Sequence, residues 1–367
     1  MHLFTGVSTL EHLVSLGWNA QLQTEYCREA STTTPARIVA VDRSSVLVAA
    51  TVAEIAAPFR VSLGGKLRHK GVDDLAVGDW VGVHETRIDY LYTRRSVFAR
   101  KRAGSSSRMQ AIAANVDLTL VTMSLNDDFS PRRAERYILA AWDAGTTPLI
   151  LLSKADLVTD AAAAVDALDT VAAGCTILVV SAHSGMGIDA LKSELGEGKT
   201  AVLVGSSGVG KSSLINALLG TQDLAIAPIR DADDKGKHTT TRRELLFLPE
   251  TGALLIDTPG MREFGVLGSG QKEDESGFSR SFSDVEALAE QCAFNDCAHQ
   301  SEPNCEILRA IADGELQPQR LRSYQKLQRE LAYNERRNDI GKQHEERRVW
   351  KKRAQEYRQR TKHSPKS

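Results

Sequence analysis

Eight consecutive residues, Gly205-Ser206-Ser207-Gly208-Val209-Gly210-Lys211-Ser212, have the spacing G-x-x-x-x-G-K-[ST], with the apolar run AVLV before them and SLINALLG after. A strand that turns through glycines into a helix presents converging backbone N–H groups, and these can cradle phosphate oxygens. Lys211 adds a point charge for the β and γ phosphates, and the Ser212 hydroxyl, with Ser213 beside it, stands where a P-loop enzyme holds Mg²⁺. About 45 residues after Lys211, Asp257-Thr258-Pro259-Gly260 follows the apolar run ALLI. Asp257 is expected in the magnesium shell and Gly260 in the nucleotide-binding set. Between these motifs the polar stretch DADDKGKHTTTR, Asp231 to Arg242, reads as a switch. One of Thr239, Thr240 and Thr241 is expected to ligate Mg²⁺ once a γ-phosphate is present, and Thr240 is favoured.

Base recognition has its own signature. A guanine-specific site needs a carboxylate that accepts hydrogen bonds from the base N1 and N2 groups, usually within Asn-Lys-x-Asp after a strand. Here PLILL is followed by Ser153-Lys154-Ala155-Asp156, so Asp156 is expected to read the base while the Lys154 stem covers its face. Ser153 keeps a hydroxyl but lacks the amide, which leaves adenine nucleotides open as an alternative substrate. A second strand, TILVV, ends in Ser181-Ala182-His183, similar to the Ser-Ala-Lys segment whose backbone contacts guanine O6 in GTPases. Both segments precede the phosphate loop, so the motif order is a circular permutation of the usual one.

Cys292, Cys297, His299 and Cys305 are spaced C-x4-C-x-H-x5-C, four ligands of the types Zn²⁺ prefers. A full tetrahedral shell leaves no position for a reacting water, so one structural zinc is expected.

Behind these residues stands a chain of 367 residues, 42% hydrophobic and 25% charged, with room for two or three compact domains. It has no apolar run of the roughly 18–20 residues that cross a bilayer, and its N-terminus lacks the pattern of a secretory signal, so a cytoplasmic location is expected. The formal charge of -1 conceals a tail, residues 319–367, with sixteen Lys+Arg against six Asp+Glu. Residues 90–115 add Arg94, Arg95, Arg100, Lys101, Arg102 and Arg108 without an acidic residue, with Tyr92 and Phe98 among them. Two basic regions of this kind suit nucleic-acid phosphates.

The coarse pattern begins with a short amphipathic helix over residues 9–23. Val-rich runs from Ala36 to about Ala103 then suit a small antiparallel barrel. Beyond residues 104–107 the pattern alternates: strands at Val116–Met123, Pro148–Leu152, Thr176–Val180, Ala201–Val204 and Ala253–Ile256, with a helix at Pro131–Ala144. That is α/β with a largely parallel sheet. The tail reads as helical.

The chain resembles the family of ribosome small subunit-dependent GTPase A (RsgA/YjeQ) over nearly its whole length. The segments GDWV, RRSVFARK, SSGVGKSSLINAL, KHTTTRRELLFLP, LLIDTPGMREF and CAFNDCAHQSEPNC carry the resemblance. It implies an N-terminal OB-fold, a central circularly permuted P-loop GTPase domain, and a C-terminal zinc-binding and helical domain. The corresponding divisions are a helical extension at 1–34, the OB-fold at 35–106, the GTPase domain at 107–270 and the zinc domain with its basic tail at 271–367. The implied activity is hydrolysis of GTP to GDP and phosphate, by a monomer bound to the small ribosomal subunit and its rRNA, late in subunit maturation. Met261 occupies the place where Ras-like enzymes carry a water-orienting Gln, and a thioether cannot do that work. The resemblance implies that His238 substitutes for it, beside Lys211 and Thr240 in catalysis. The alternative is an rRNA-binding scaffold in which hydrolysis is incidental.

Overall fold

A computed structural model describes residues 10–41, 46–63, 75–101, 109–126, 128–169, 171–172, 174–220, 243–257, 277–294, 296–329 and 332. The chain clusters into two compact units, one of residues 1–99, 111–266 and 271–283, the other of 100–110, 267–270 and 284–367. No helix among the described residues is long and apolar enough to cross a membrane.

The amphipathic N-terminal stretch does not form one helix. A 3₁₀ turn at Glu11–Leu16 stops at Gly17, whose φ of 89° is left-handed, and α1 (Ala20–Glu25) starts afresh with the Asn19 side chain accepting from Leu22 N–H. The break lets Trp18 turn inward, edge-on to Trp80 and Tyr92 at centroid distances of 4.9 and 5.4 Å.

A five-stranded barrel follows: β1 (Thr34–Val41), β2 (Val46–Ala49), β3 (Phe59–Leu63), β4 (Trp80–His84) and β5 (Arg87–Leu91). The order β1-β2-β3-β5-β4 closes because β1 also pairs with β4, from Thr34↔Val83 to Arg37↔Trp80. This is the expected OB-fold. Its interior is Ala36, Ile38, Val46, Val48, Val61, Val81, Val83 and Ile88. Between β2 and β3 sits α2 (Val52–Ala56), started by a capping box in which Thr51 and Glu54 satisfy each other's backbone N–H. The Val-rich pattern hid α2.

The second half of this unit is a six-stranded arrangement in the spatial order β10-β9-β8-β11-β13-β12. After β6 (Val97–Lys101) and β7 (Met109–Ala114) in the chain, its strands are β8 (Leu118–Ser124), β9 (Thr147–Ser153), β10 (Thr176–Val179), β11 (Thr200–Val204), β12 (Glu244–Leu248) and β13 (Ala253–Asp257). All neighbours are parallel except β12 against β13. The parallel strands are apolar on both faces because helices or the barrel cover both. Val121, Met123, Ile150, Leu152, Val202 and Val204 face one core, while Leu120, Leu149, Leu151, Ala201 and Leu203 face the other. The covering helices are α3 (Pro131–Asp143), α4 (Ala162–Asp169), α5 (Ile188–Glu194) and α6 (Lys211–Leu219), with α7 (Gly277–Ser281) placing Arg280 over the Trp142 ring.

Barrel and α/β sheet are continuous. β1 pairs with β12 at Ala40↔Glu244, and its face away from the barrel interior is buried as well, with Arg37 there at 1% exposure. Its guanidinium donates from Nε to Gly78 O (3.2 Å), from Nη2 to Asn115 O (3.1 Å) and from Nη1 to Leu16 O. Three parts of the chain that are distant in sequence therefore meet on one side chain. Burial pushes this guanidinium down to about 10, still charged at neutral pH, and Asp117 and Asp79 act the other way.

The second unit is helical where described, with most of α8 (Ser283–Ala289), then α9 (Glu306–Ala312) and a helix over 318–329. Arg320 spans from that helix to Asp284, with Nη2 to Oδ1 at 2.9 Å.

Replacing Arg37 by Met removes three hydrogen bonds and takes the donor from the Leu16 and Asn115 carbonyls, while Gly78 O keeps the Asn115 Nδ2 donor at 3.0 Å. Chemical denaturation should show a loss of about 3–5 kcal/mol, at the upper end for one buried polar residue. An unchanged midpoint would show that the guanidinium does not hold these segments together.

Candidate functional site

Four loops leave the carboxyl ends of adjacent parallel strands β8, β9, β10 and β11, where open α/β sheets bind ligands. The first connects β11 to α6. Gly205 at its start has φ 149° and approaches β8 so closely that a Cβ would lie 2.3 Å from Thr122 O, so only glycine fits. Gly210 caps α6 in the left-handed region, φ 95°. Lys211 Nζ donates to the loop carbonyls of Gly205 (2.8 Å) and Ser206 (2.6 Å), curled over the loop that its charge is expected to serve. Ser212 is exposed on the first turn of α6, and Val209 is buried beneath the loop.

The second loop follows β9. Ser153 is 2% exposed, and its Oγ lies 2.6 Å from Val209 O and 3.1 Å from Met123 O. The residue that weakened the base motif on paper thus bridges from the base segment to the phosphate loop. Lys154 takes left-handed dihedrals, φ 58° and ψ 39°, and this sharp turn brings Asp156 to the surface.

The third loop follows β10. Ser181 is fully buried and its Oγ donates to Asp156 Oδ1 at 2.5 Å while accepting the N–H groups of His183 (3.2 Å) and Ser184 (3.1 Å). Ser181 therefore orients the carboxylate and shapes the loop carrying Ala182. That hydrogen bond, with smaller contributions from His183 and Lys154, holds Asp156 below the usual carboxylate range although partial burial opposes it.

The fourth loop, after β8, brings in Arg133 and Asp128, which no motif marks. Arg133, in the first turn of α3, donates from Nη1 to Ser206 Oγ (2.6 Å) and to Asp128 Oδ1 (2.5 Å). Its sequence surroundings, a charged helix start, gave no signal. On the far side of β11, Asp257 ends β13 next to Glu244 across the ladder. Burial raises its carboxyl, against the pull of Lys211.

Thr240, with Thr239 and Thr241, His238, Gly260 and Met261 lie outside the described residues.

The basic region at 90–115 is altered by what its residues touch. Arg94 is paired with the fully buried Asp79, Nε to Oδ1 at 2.7 Å, and Arg95 with Asp117 at 3.0 Å. Tyr92 and Phe98 are core residues, 2% and 0% exposed. Tyr92 and Phe98 therefore do not form the RNA-facing surface expected of them, and Arg94 is held by a buried carboxylate, whereas Arg95 stays exposed beside Asp117. The side chains of Arg100 and Lys101, and residues Arg102 and Arg108, lie outside the described residues.

In the second unit Cys292, Cys297, His299 and Cys305 place their ligand atoms within 4.8 Å of one another. Sγ of Cys292 is 3.9 Å from Sγ of Cys305, and His299 Nδ1 is 3.7 and 3.5 Å from the two sulfurs. A tetrahedron with Zn–S of about 2.3 Å has edges of about 3.8 Å, so the donor set is compatible with zinc. Glu302 ties the intervening loop by accepting the N–H groups of Ala298, Gln300 and Ser301 at 2.8–3.0 Å, and these bonds bring its carboxyl down to about 2.

The family profile described as RsgA GTPase matches residues 91–267. The chain is similar to the small ribosomal subunit biogenesis GTPase RsgA 2 of Listeria monocytogenes, 48% identical over 75% of this chain and 78% of that one. RsgA 2 of Lactiplantibacillus plantarum is 41% identical over 88% and 90%, and RsgA of Streptomyces avermitilis 39% identical over 95% and 94%. The structure of YjeQ from Thermotoga maritima aligns with a TM-score of 0.59 at 26% identity, covering 82% of this chain and 98% of that one. YloQ, described as a circularly permuted GTPase, shares the fold with a TM-score of 0.54 at 22% identity, over 83% and 97%.

Two measurements probe the site. In Ser181→Ala the Asp156 carboxyl should rise toward its ordinary value. A depressed carboxyl stays charged as pH falls, so the variant should lose guanine-nucleotide affinity at a higher pH than the parent on an acid titration. Superimposable titrations would contradict the role of Ser181. Ser153→Ala orphans the buried Val209 carbonyl, which costs about 1–3 kcal/mol. If loop order is needed for binding, GTP affinity falls about tenfold; unchanged affinity in calorimetry would make the bridge dispensable.

Proposed function

We propose, from the fact that this chain belongs to the RsgA GTPase family, that its hydrolysis of GTP serves the late maturation of the small ribosomal subunit. The observation that carries the reading is the adjacency of base-reading and phosphate-binding segments on one sheet rim, with Ser153 reaching from the first to Val209 in the second.

In this reading Asp156 accepts the guanine N1 and N2 hydrogen bonds, Lys154 covers the base, and the Ser181–Ala182 backbone meets O6. Backbone N–H groups of residues 205–213, together with Lys211, hold the phosphates. Ser212, Thr240 and Asp257 hold Mg²⁺, which when bound neutralises charge on the phosphate oxygens. Water adds to the γ-phosphorus as the bond to the β,γ-bridging oxygen breaks, leaving GDP and inorganic phosphate. His238 positions that water, because Met261 has no group to do so.

The remaining parts follow the family layout, with divisions at 1–34, 35–106, 107–270 and 271–367. The cysteine cluster holds one structural zinc, the basic tail contacts rRNA, and the protein acts as a monomer in the cytoplasm. GTP-bound protein holds the subunit, and hydrolysis releases it.

The deciding experiment measures GTP turnover with isolated small subunits, large subunits and neither. Small subunits should accelerate it, and GTP should outcompete ATP; acceleration by large subunits alone would overturn the assignment. His238→Ala should lose about 10²-fold or more of the stimulated rate, the scale of a positioned acid–base or water-orienting group. Full stimulated turnover in that variant would move the role elsewhere.

A further inference from the structure

Beside the cysteine cluster, within the second unit, lies a cavity of about 540 Å³ bordered by the zinc loop and the helix over 318–329. Its size is that of small-ligand sites, about 300–1,000 Å³. One wall is Phe294, 49% exposed, the most exposed aromatic ring among the large hydrophobics of the described residues. The helix contributes Tyr324, Gln325, Gln328 and Arg329 to the lining.

The polar groups are arranged with some order. Gln325 Nε2 donates to Ala298 O at 3.2 Å and so pins the helix to the ligand loop. Arg329 Nε donates back to Gln325 O at 3.0 Å, which fixes the start of its guanidinium at the cavity's edge. Gln328 is exposed on the same helix. Residues 319–329 carry Arg320, Arg322, Lys326 and Arg329 and no acidic residue. Arg320 pairs with Asp284; no carboxylate among the described residues pairs with Arg322, Lys326 or Arg329.

A ring face, an amide with both donor and acceptor, and a guanidinium on a basic helix together match one chemistry. Single-stranded RNA offers a base that can stack, a hydrogen-bonding base edge, and a phosphate. Duplex RNA keeps its bases stacked and would offer only the phosphates. We infer that this cavity takes one unstacked nucleotide of single-stranded RNA, with the base on Phe294, its edge at Gln328 and its phosphate at Arg329. The inference rests on the reading that the chain works on ribosomal RNA, and it assigns the zinc module a contact that depends on unpaired bases rather than on charge alone.

The test uses the full-length, zinc-loaded protein and a fluorescent single-stranded heptaribonucleotide, with the corresponding duplex as competitor. Base–aromatic stacking lost on truncation corresponds to a fall of roughly five- to a hundredfold in affinity. Phe294→Ala should show such a fall with its zinc content retained, and Phe294→Trp should restore binding. Should Phe294→Ala lose zinc, Gln328→Ala and Arg329→Ala, both on the exposed side of the helix, decide instead. Arg329→Ala should weaken binding and flatten its salt dependence, while Gln328→Ala should weaken it without changing the salt slope. Wild-type affinity in these variants, or a duplex that competes as well as the single strand, would overturn the inference. Stimulation of GTP turnover by small subunits is read separately in the parent protein, so failure of the nucleotide pocket and failure of the ribosomal assignment give different results.

Discussion

The buried guanidinium of Arg37 is the constraint around which the first unit is organised. Taking a cation out of water is expensive, and the cost is offset only because three carbonyls from residues 16, 78 and 115 converge on it. Each carbonyl belongs to a different part: the N-terminal segment, the turn into β4 and the turn into β8. Gly78 is needed at the second of these, since at φ 91° a Cβ would lie 2.2 Å from Ala114 O. Arg94 and Asp79 extend the same buried polar set, and the Trp80 ring lies 5.6 Å from the Arg37 guanidinium carbon. A network of this kind tolerates few alternatives, because each partner lost leaves another polar group buried and unpaired.

That constraint reaches the nucleotide site through β1. One edge of β1 pairs with β2, and the other pairs with β4 over Thr34–Arg37 and with β12 at Ala40, so the ladder runs from the OB-fold into β12, β13 and then β11. Asp257 and the phosphate loop thus sit on strands linked to the barrel by backbone hydrogen bonds. The loops after β9 and β10, proposed to read the base, lie on the opposite side of β11, beyond β8. In the proposed reading nucleotide recognition bridges the two flanks of the sheet, and the Ser153 and Ser181 hydroxyls tie the intervening loops together.

Circular permutation changes none of these neighbours. Parallel strands joined by helices can be entered at another point without altering which strand lies beside which, so the rim retains its loops while the covalent path differs. What changes is which motif adjoins which module. β13, which ends in Asp257, is the last strand of the sheet among the described residues, and the chain continues from it toward the zinc-ligand region; the barrel instead leads on toward β8.

Local chemistry made much of this legible from residue order. A glycine-rich turn between an apolar strand and a helix, a carboxylate after Lys154, and four zinc-type ligands each need particular residue types at particular spacings, and those requirements are written along the chain. Family membership and the OB-fold followed from segments of the same kind. Other features depend on residues that meet only after folding. Arg37 reads as an ordinary charged residue in a strand, Arg94 and Arg95 as surface cations, and Arg133 as part of a charged helix start; their partners are Asn115, Asp79, Asp117 and Ser206, up to 78 positions away. Ser153 reads as a weakened motif until Val209, 56 positions on, is beside it. Spacing along the chain specified what chemistry was available, whereas burial and long-range pairing decided which charges stay inside, which face water and which hydroxyl joins one loop to the next.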